Sequence, residues 1–198
     1  MKELIRSSLC EAQVTLQNYL SLPDTVPSIE KAVKIMSSAL REGKKIISCG
    51  NGGSLCDATH FAEELTARYR KNRRALPAIA INDPAYITCV LNDYGPDEIF
   101  SRFIEANGNE GDVLLAFSTS GNSKNVIGAV EAAHQKKMPV IGMTRTGGNQ
   151  LALLADLVIG VPHPAYADRI QEMHILTVHV MIEGIEYELS LNKSYDGK

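Results

Sequence analysis

No window of the 198-residue chain approaches the ~20 apolar residues that a bilayer-spanning helix needs. The opening MKELIRSSLCEAQ is charged and amphipathic and lacks the unbroken apolar stretch of a secretory signal, so a cytoplasmic protein without membrane contact is expected. Positive charge is short too. Lys and Arg number 20 against 23 Asp and Glu, a net charge of −3, which excludes a global attraction to nucleic acid and leaves any anion site to be built locally. Cysteine is scarce and irregularly spaced. Cys10, Cys49, Cys56 and Cys89 form no Cys-x-x-Cys pair, which argues against a disulfide framework or a zinc knuckle, and the four read as buried free thiols. Solenoid repeats and low-complexity segments are missing as well. What is present, 44% hydrophobic and 22% charged residues, suffices for one well-buried core and is short for two, so a single domain over residues 1–198 is expected.

Apolar residues first recur at helical spacing. Ile5, Leu9, Ala12, Leu16 and Tyr19 form one stripe that Pro23 and Asp24 end, and a second helix starts near Ser28 with Ile29, Val33, Met36 and Leu40 inward and Gly43 as its stop. The period then changes. Lys45 to Cys49 is a short apolar run that meets Gly50-Asn51-Gly52-Gly53-Ser54, and a helical pattern follows to about Tyr69. Pro77 to Ile81, Val113 to Phe117, Val140 to Thr144 and Leu157 to Val161 read as further strands, the second running into Ser118-Thr119-Ser120-Gly121-Asn122-Ser123 and a helix through His134. Five apolar strands alternating with helices predict a three-layer α/β/α sandwich around a five-stranded parallel sheet. The predicted parts are a helical segment over about 1–42, a sheet-containing core over about 44–162 and a long closing helix over about 167–190. That last helix is apolar around its circumference, more than one domain face can bury, so it predicts an oligomer contact. The tail from Asn192 to Lys198 reads as frayed.

Two strand-to-helix junctions concentrate glycines and hydroxyls. Helix N-termini at the C-terminal edge of a parallel sheet offer unpaired N–H groups and partial positive charge, which suit a phosphate. Ser118, Thr119, Ser120 and Ser123 add hydroxyl donors there, and Gly121 permits close backbone approach. A lone Ser123 would read as an N-cap; four hydroxyls in six residues point instead to a phosphate cradle. Asn51-Gly52-Gly53-Ser54 has neither the Walker lysine nor Gly-x-Gly-x-x-Gly spacing, so it is expected to position sugar hydroxyls rather than a nucleotide.

His60 and Glu64, four residues apart on the helix after the first loop, share one face and can converge on a point, for metal ligation, for proton transfer or as a surface ion pair. On the last helix Gln171, His174 and His179 align with Ile175 and Val178; a histidine on such a face is usually a core residue with a satisfied ring nitrogen. The run Arg68, Arg70, Lys71, Arg73 and Arg74 is the one basic cluster. With few aromatics nearby it reads as a solvated face that steers a charged sugar phosphate or meets an acidic neighbouring subunit, not as a nucleic-acid site.

CGNGGS and STSGNS together resemble the sugar isomerase (SIS) domain family. CDATHFAEELTARYR at 56–70, NDYG at 92–95 and PHPAYADRIQEMHILTVH at 162–179 resemble, within it, the phosphoheptose isomerases of lipopolysaccharide heptose synthesis, over nearly the whole chain. One departure is Leu55, where some members carry histidine. The resemblance implies conversion of sedoheptulose 7-phosphate to D-glycero-D-manno-heptose 7-phosphate, with Glu64 and His179 as the acid/base pair. It implies substrate contacts from Asn51, Gly52, Gly53, Glu64, Asn92, Asp93, Ser118, Thr119, Ser120, Ser123 and Gln171. It also implies one zinc ion per subunit on His60, Glu64, Gln171 and His179, and a homotetramer. Gln171 and His179 lie about 12 Å apart along a helix axis, near the reach of one ion, so active sites at subunit interfaces are expected. Asp93, Asp168 and Arg68 are secondary candidates, although Asp168 also suits a helix first turn. Two rival readings remain. One is a non-catalytic SIS regulator or scaffold of the group that associates with the bacterial replication initiator, which shares the two loops but lacks residues matching Glu64 and His179. The other is an isomerase of arabinose or hexose phosphates, which the ADRIQEMH segment disfavours.

Overall fold

The computed structural model describes residues 1–162 and 166–191. In chain order the elements are α1 (Lys2–Ser21), α2 (Thr25–Arg41), β1 (Ile46–Cys49), α3 (Gly53–Thr66), β2 (Ala78–Ala80), α4 (Pro84–Asp93), a 3-10 turn (Pro96–Glu98), α5 (Ile99–Asn107), β3 (Val113–Phe117), α6 (Lys124–Gln135), β4 (Val140–Arg145), α7 (Gln150–Leu154), β5 (Leu157–Val161) and α8 (Ala167–Glu188). The strands form one sheet in the order β2-β1-β3-β4-β5, and every neighbouring pair is parallel.

Alternate side chains along each strand feed two cores. Ile46, Val113, Leu115, Phe117, Ile141 and Met143 pack under α2, α3 and α8; Ile47, Cys49, Leu114, Ala116 and Val140 pack under α4, α5, α6 and α7. A sheet covered on both faces must be apolar on both, which is why these strands read as unbroken runs. Chain direction reverses across the sheet at β1, because β1 connects to β2 on one side while β3 enters on the other. The loops that follow β1 and β3 therefore open side by side at the carboxyl ends of the strands, the crevice where open α/β sheets take ligands. Asp112 staples the opposite end: its carboxylate accepts from the Lys45 N–H at 3.0 Å and the Asn109 N–H at 2.9 Å. Burial raises that carboxyl's pKa, and these N–H bonds together with the Lys45 ammonium more than reverse the effect, leaving it below its ordinary value.

Several expectations change. Helix α2 starts at Thr25, three residues before Ser28, and α3 stops at Thr66, short of Tyr69. Only Cys49 is buried; Cys10, Cys56 and Cys89 are exposed free thiols, since each lies on a helix face turned from the two cores. The closing helix buries most of its apolar side chains in its own chain, between α2, α3 and the sheet, and among its large apolar residues only Val180 and Tyr187 are exposed. The unpartnered apolar surface is on α1. Leu4, Ile5 and Leu9 lie open, while Thr15 and Tyr19 are buried, with the Tyr19 hydroxyl 3.0 Å from the Thr177 hydroxyl. The stripe of α1 thus reaches the core only through its C-terminal half. The basic run is not uniformly solvated either. Arg73 is buried against Glu186, and Arg70 pairs with Glu183, because the segment after α3 folds back across α8. Among the described residues no helix is long and apolar enough to cross a membrane. The tail from Asn192 lies outside the described residues.

Candidate active site at the sheet crevice

The two crevice loops are joined by a reciprocal amide pair. Asn51 Nδ2 donates to Asn125 Oδ1 at 2.8 Å, and Asn125 Nδ2 donates to Asn51 Oδ1 at 3.0 Å. In the second loop Ser118 Oγ, nearly buried, lies 3.2 Å from Ser123 Oγ and 3.5 Å from Ser120 Oγ, and accepts from the Gly121 N–H at 3.1 Å. Ser123 is the N-cap residue of α6, yet its side chain makes no capping bond. Its hydroxyl turns to Ser118, so three serines converge at the helix N-terminus, with half-buried Thr119 between them. Gly121 has φ +68°, and a Cβ there would overlap the Asn149 carboxamide, so this turn admits only glycine.

The first loop leads into a cavity of about 520 Å³ between α3 and α8, lined by residues that include Gly53, Asp57, His60, Asp168, Gln171 and His179. The Gln171 carboxamide lies so close to Gly53 that a Cβ on Gly53 would be 2.6 Å from it. At its wall, His60 Nε2 faces His179 Nε2 at 2.9 Å, and Glu64, which is not among the lining residues, brings Oε1 to 3.4 Å from the same nitrogen. Donor atoms of His60, Glu64 and His179 all lie within 4.8 Å of one another. Ligands about 2 Å from one ion lie ~3–4 Å from each other, so two imidazoles and a carboxylate at these separations could hold a metal ion. A bare ion pair between His60 and Glu64 does not account for the second imidazole aimed at the same point.

His174, aligned with these residues in sequence, does not join them. It is fully buried with its ring edge-on to Phe117, centroids 5.9 Å apart, and neither ring nitrogen meets a hydrogen-bond partner. Burial pulls its pKa down to about 4, and the nearby Thr144 backbone offsets only part of that. The position is core, as expected, and the Thr144 backbone is a polar group beside the ring there, without a hydrogen bond of good geometry. Asn92 and Asp93 are exposed at the end of α4, bonded to each other at 2.7 Å, and are not among the residues lining the cavity. Arg68 is exposed, whereas Asp168 lines the cavity and lies 3.5 Å from the Arg169 guanidinium. His163, Pro164 and Ala165 of the 162–179 motif lie outside the described residues.

Two residues escaped sequence reasoning. Asn125 stands outside the motifs read from the sequence, and only its pairing with Asn51 reveals that it links the loops. Asp57 sits one turn before His60 with a buried oxygen that has no hydrogen-bond partner; burial pushes its pKa up to about 6. The spacing Asp57, His60, Glu64 on one helix face was the signal available for it.

Comparison with known proteins agrees with this fold. The SIS domain model matches residues 20–145. The phosphoheptose isomerase of Pectobacterium atrosepticum is 54% identical over 189 residues, 96% of this chain and 98% of its own length. A solved phosphoheptose isomerase from Neisseria gonorrhoeae superposes with a TM-score of 0.86 at 40% identity, covering 94% of this chain and 98% of that one. One from Francisella tularensis gives 0.87 at 38% identity, with 93% and 97% covered. With the crevice loops, the three-donor cluster and the full-length likeness in agreement, the chain belongs to the phosphoheptose isomerases of the SIS domain family.

Proposed function

We propose that the protein interconverts sedoheptulose 7-phosphate and D-glycero-D-manno-heptose 7-phosphate, the entry reaction of heptose synthesis for lipopolysaccharide. The observation that carries this reading is the meeting of His60, Glu64 and His179 donor atoms within 4.8 Å of one another, at a cavity that His60, His179 and Gly53 of the loop after β1 line. Isomerisation needs a base for a C–H beside a carbonyl, a group that neutralises the developing enediol oxygen, and return of the proton to the neighbouring carbon. Glu64 moves the proton between C1 and C2. His179 moves protons to and from the sugar oxygens. Ser118, Thr119, Ser120 and Ser123 hold the phosphate at the N-terminus of α6, and Asn51, Gly52, Gly53 and Gln171 orient the hydroxyls.

His60, Glu64, Gln171 and His179 would hold a zinc ion, one per subunit, which when bound supplies a Lewis acid for the carbonyl oxygen. Asn92 and Asp93 complete a site in a neighbouring subunit of a homotetramer, a reading supported by their exposure away from the cavity and by the open apolar residues of α1. The enzyme works in the cytoplasm.

Incubation with sedoheptulose 7-phosphate, with aldose formation followed by NMR, tests the reading. Turnover that Glu64→Gln abolishes, and that a chelator reduces, is the expected result. An intact, zinc-supplied protein that leaves the ketose unchanged overturns it in favour of a regulatory SIS protein.

A further inference from the structure

The segment from Arg68 to Arg74 has no task in the reaction as written, yet it crosses both helices that carry the reacting groups. Arg73 reaches back to the end of α3. Its Nη2 donates to the Glu64 carbonyl at 2.6 Å and its Nη1 to the Leu65 carbonyl at 2.7 Å, filling acceptors that a helix C-terminus leaves open. Its Nε donates to Glu186 Oε1 at 2.8 Å on α8. Arg70 Nη1 bonds Glu183 Oε1 at 2.7 Å, one turn beyond His179 on the same helix. The Arg70 guanidinium also lies over the Tyr69 ring, 5.0 Å from its centroid. Tyr69 also stacks on the His179 imidazole at 5.8 Å between centroids and 21° between planes. His179 is therefore held by Tyr69 on its ring and by His60 at Nε2.

We propose that this segment is a strap that sets the separation of Glu64 and His179, with Tyr69 the positioning residue that fixes the plane of the His179 imidazole and Arg70 the residue that holds Tyr69 in place. The inference rests on the isomerase reading for its kinetic consequence, though not for its geometry. Tyr69 touches no substrate in this scheme. Its face, not its hydroxyl, does the work, because an offset-stacked ring restrains the rotation of its neighbour. A histidine free to turn about its side-chain bonds meets the reacting oxygens in fewer of its conformations, and small displacements of reacting groups carry large rate penalties.

The experiment compares Tyr69→Phe, Tyr69→Ala and Arg70→Ala with the unmodified protein by steady-state kinetics on sedoheptulose 7-phosphate, thermal unfolding and the 1H–13C spectrum of the His179 imidazole. Tyr69→Ala is expected to lower kcat by about tenfold or more with KM within about twofold, and to shift the His179 ring protons as the stacked ring's field is lost. Tyr69→Phe is expected to keep both the rate and the shift. Arg70→Ala, at an exposed ion pair, is expected to give a smaller kcat loss, about threefold, with an unchanged melting point. An unaltered kcat in Tyr69→Ala, a loss confined to KM, or failure of phenylalanine to restore the rate overturns the proposal. Should the unmodified protein prove inactive on this sugar, the isomerase reading fails by itself, and the imidazole shifts decide the strap: identical His179 shifts in Tyr69→Ala and wild type overturn it. If Tyr69→Ala does not fold, the same two readouts on Arg70→Ala decide.

Discussion

Helix α8 carries two histidines five residues apart, His174 and His179, whose surroundings have almost nothing in common. His179 opens into a cavity and finds a second imidazole at 2.9 Å, a carboxylate in the same cluster and an aromatic ring against its face. His174 points into the core beside Phe117 and finds no hydrogen-bond partner for either nitrogen. The residue type is the same and the helix is the same; the difference is rotation around the helix axis by five residues, enough to exchange a crevice for a core. A histidine becomes reactive when other titratable groups and a ligand can reach it. One that is merely buried becomes a neutral group whose charging opposes folding.

The contrast is broken most strongly at the cavity. Glu64→Gln keeps the shape and removes the charge, and should lower kcat by roughly a thousandfold, whereas His174→Phe should leave kcat within about threefold because that ring reaches no reacting group. Steady-state kinetics of the two variants side by side measure the difference; a comparable loss in both would mean that the core histidine communicates with the site.

Next in size is the stability cost of the core histidine. In the unfolded chain its imidazole takes a proton below its ordinary value of 6.5, while in the folded chain it does so only near 4. Stability present above pH 6.5 is therefore lost as pH falls toward 4, by about 3 kcal/mol over that window. Chemical denaturation between pH 4 and 7 should show His174→Phe with a shallower decline than wild type. Parallel curves would mean that the ring finds a partner that keeps its pKa near its ordinary value.

A smaller effect is expected where the first loop meets the cavity. Gly53→Ala puts a methyl where the Gln171 carboxamide lies, and the end of that flexible side chain can swing aside with little loss of stability. If Gln171 orients the sugar, kcat/KM should fall about tenfold, equivalent to ~1.4 kcal/mol, with an unchanged melting point. Retained kcat/KM would remove Gln171 from the substrate-binding set.

Much of this was legible in the sequence. Val113–Phe117 and Leu157–Val161 were placed to the residue, because buried parallel strands leave unbroken apolar runs between turn residues. The hydroxyl-rich loop and the His60/Glu64 pair were visible because their chemistry depends on neighbours close in sequence. Three things were not. The exposure of Leu4, Ile5 and Leu9 depends on which helix wins the limited space over the sheet, and periodicity says only that a helix has an apolar face. The end of α3 at Thr66 is set by Arg73 filling its terminal carbonyls from seven residues beyond, a tertiary contact that no local signal announces. The Asn51–Asn125 pair joins residues 74 positions apart and needs the strand order to be known first.

Asp57 tests the comparison from the opposite direction, since it is a titratable group of the cavity wall that behaves like a buried one. Burial penalises the charge and pushes its folded pKa up to about 6, against an ordinary value of 3.8. The sign is therefore the reverse of that for His174: stability present below pH 3.8 is lost as pH rises through 6. Asp57→Asn removes the charge and keeps the shape, so it should raise stability at pH 8 by about 1 kcal/mol, some 2–4 °C in Tm for a chain of this size, with the gain vanishing toward pH 4. Thermal unfolding at the two pH values reads this directly. A destabilised Asp57→Asn at pH 8 would mean that the carboxylate is held by a partner in solution, and would move Asp57 from the wall of the cavity into its working machinery.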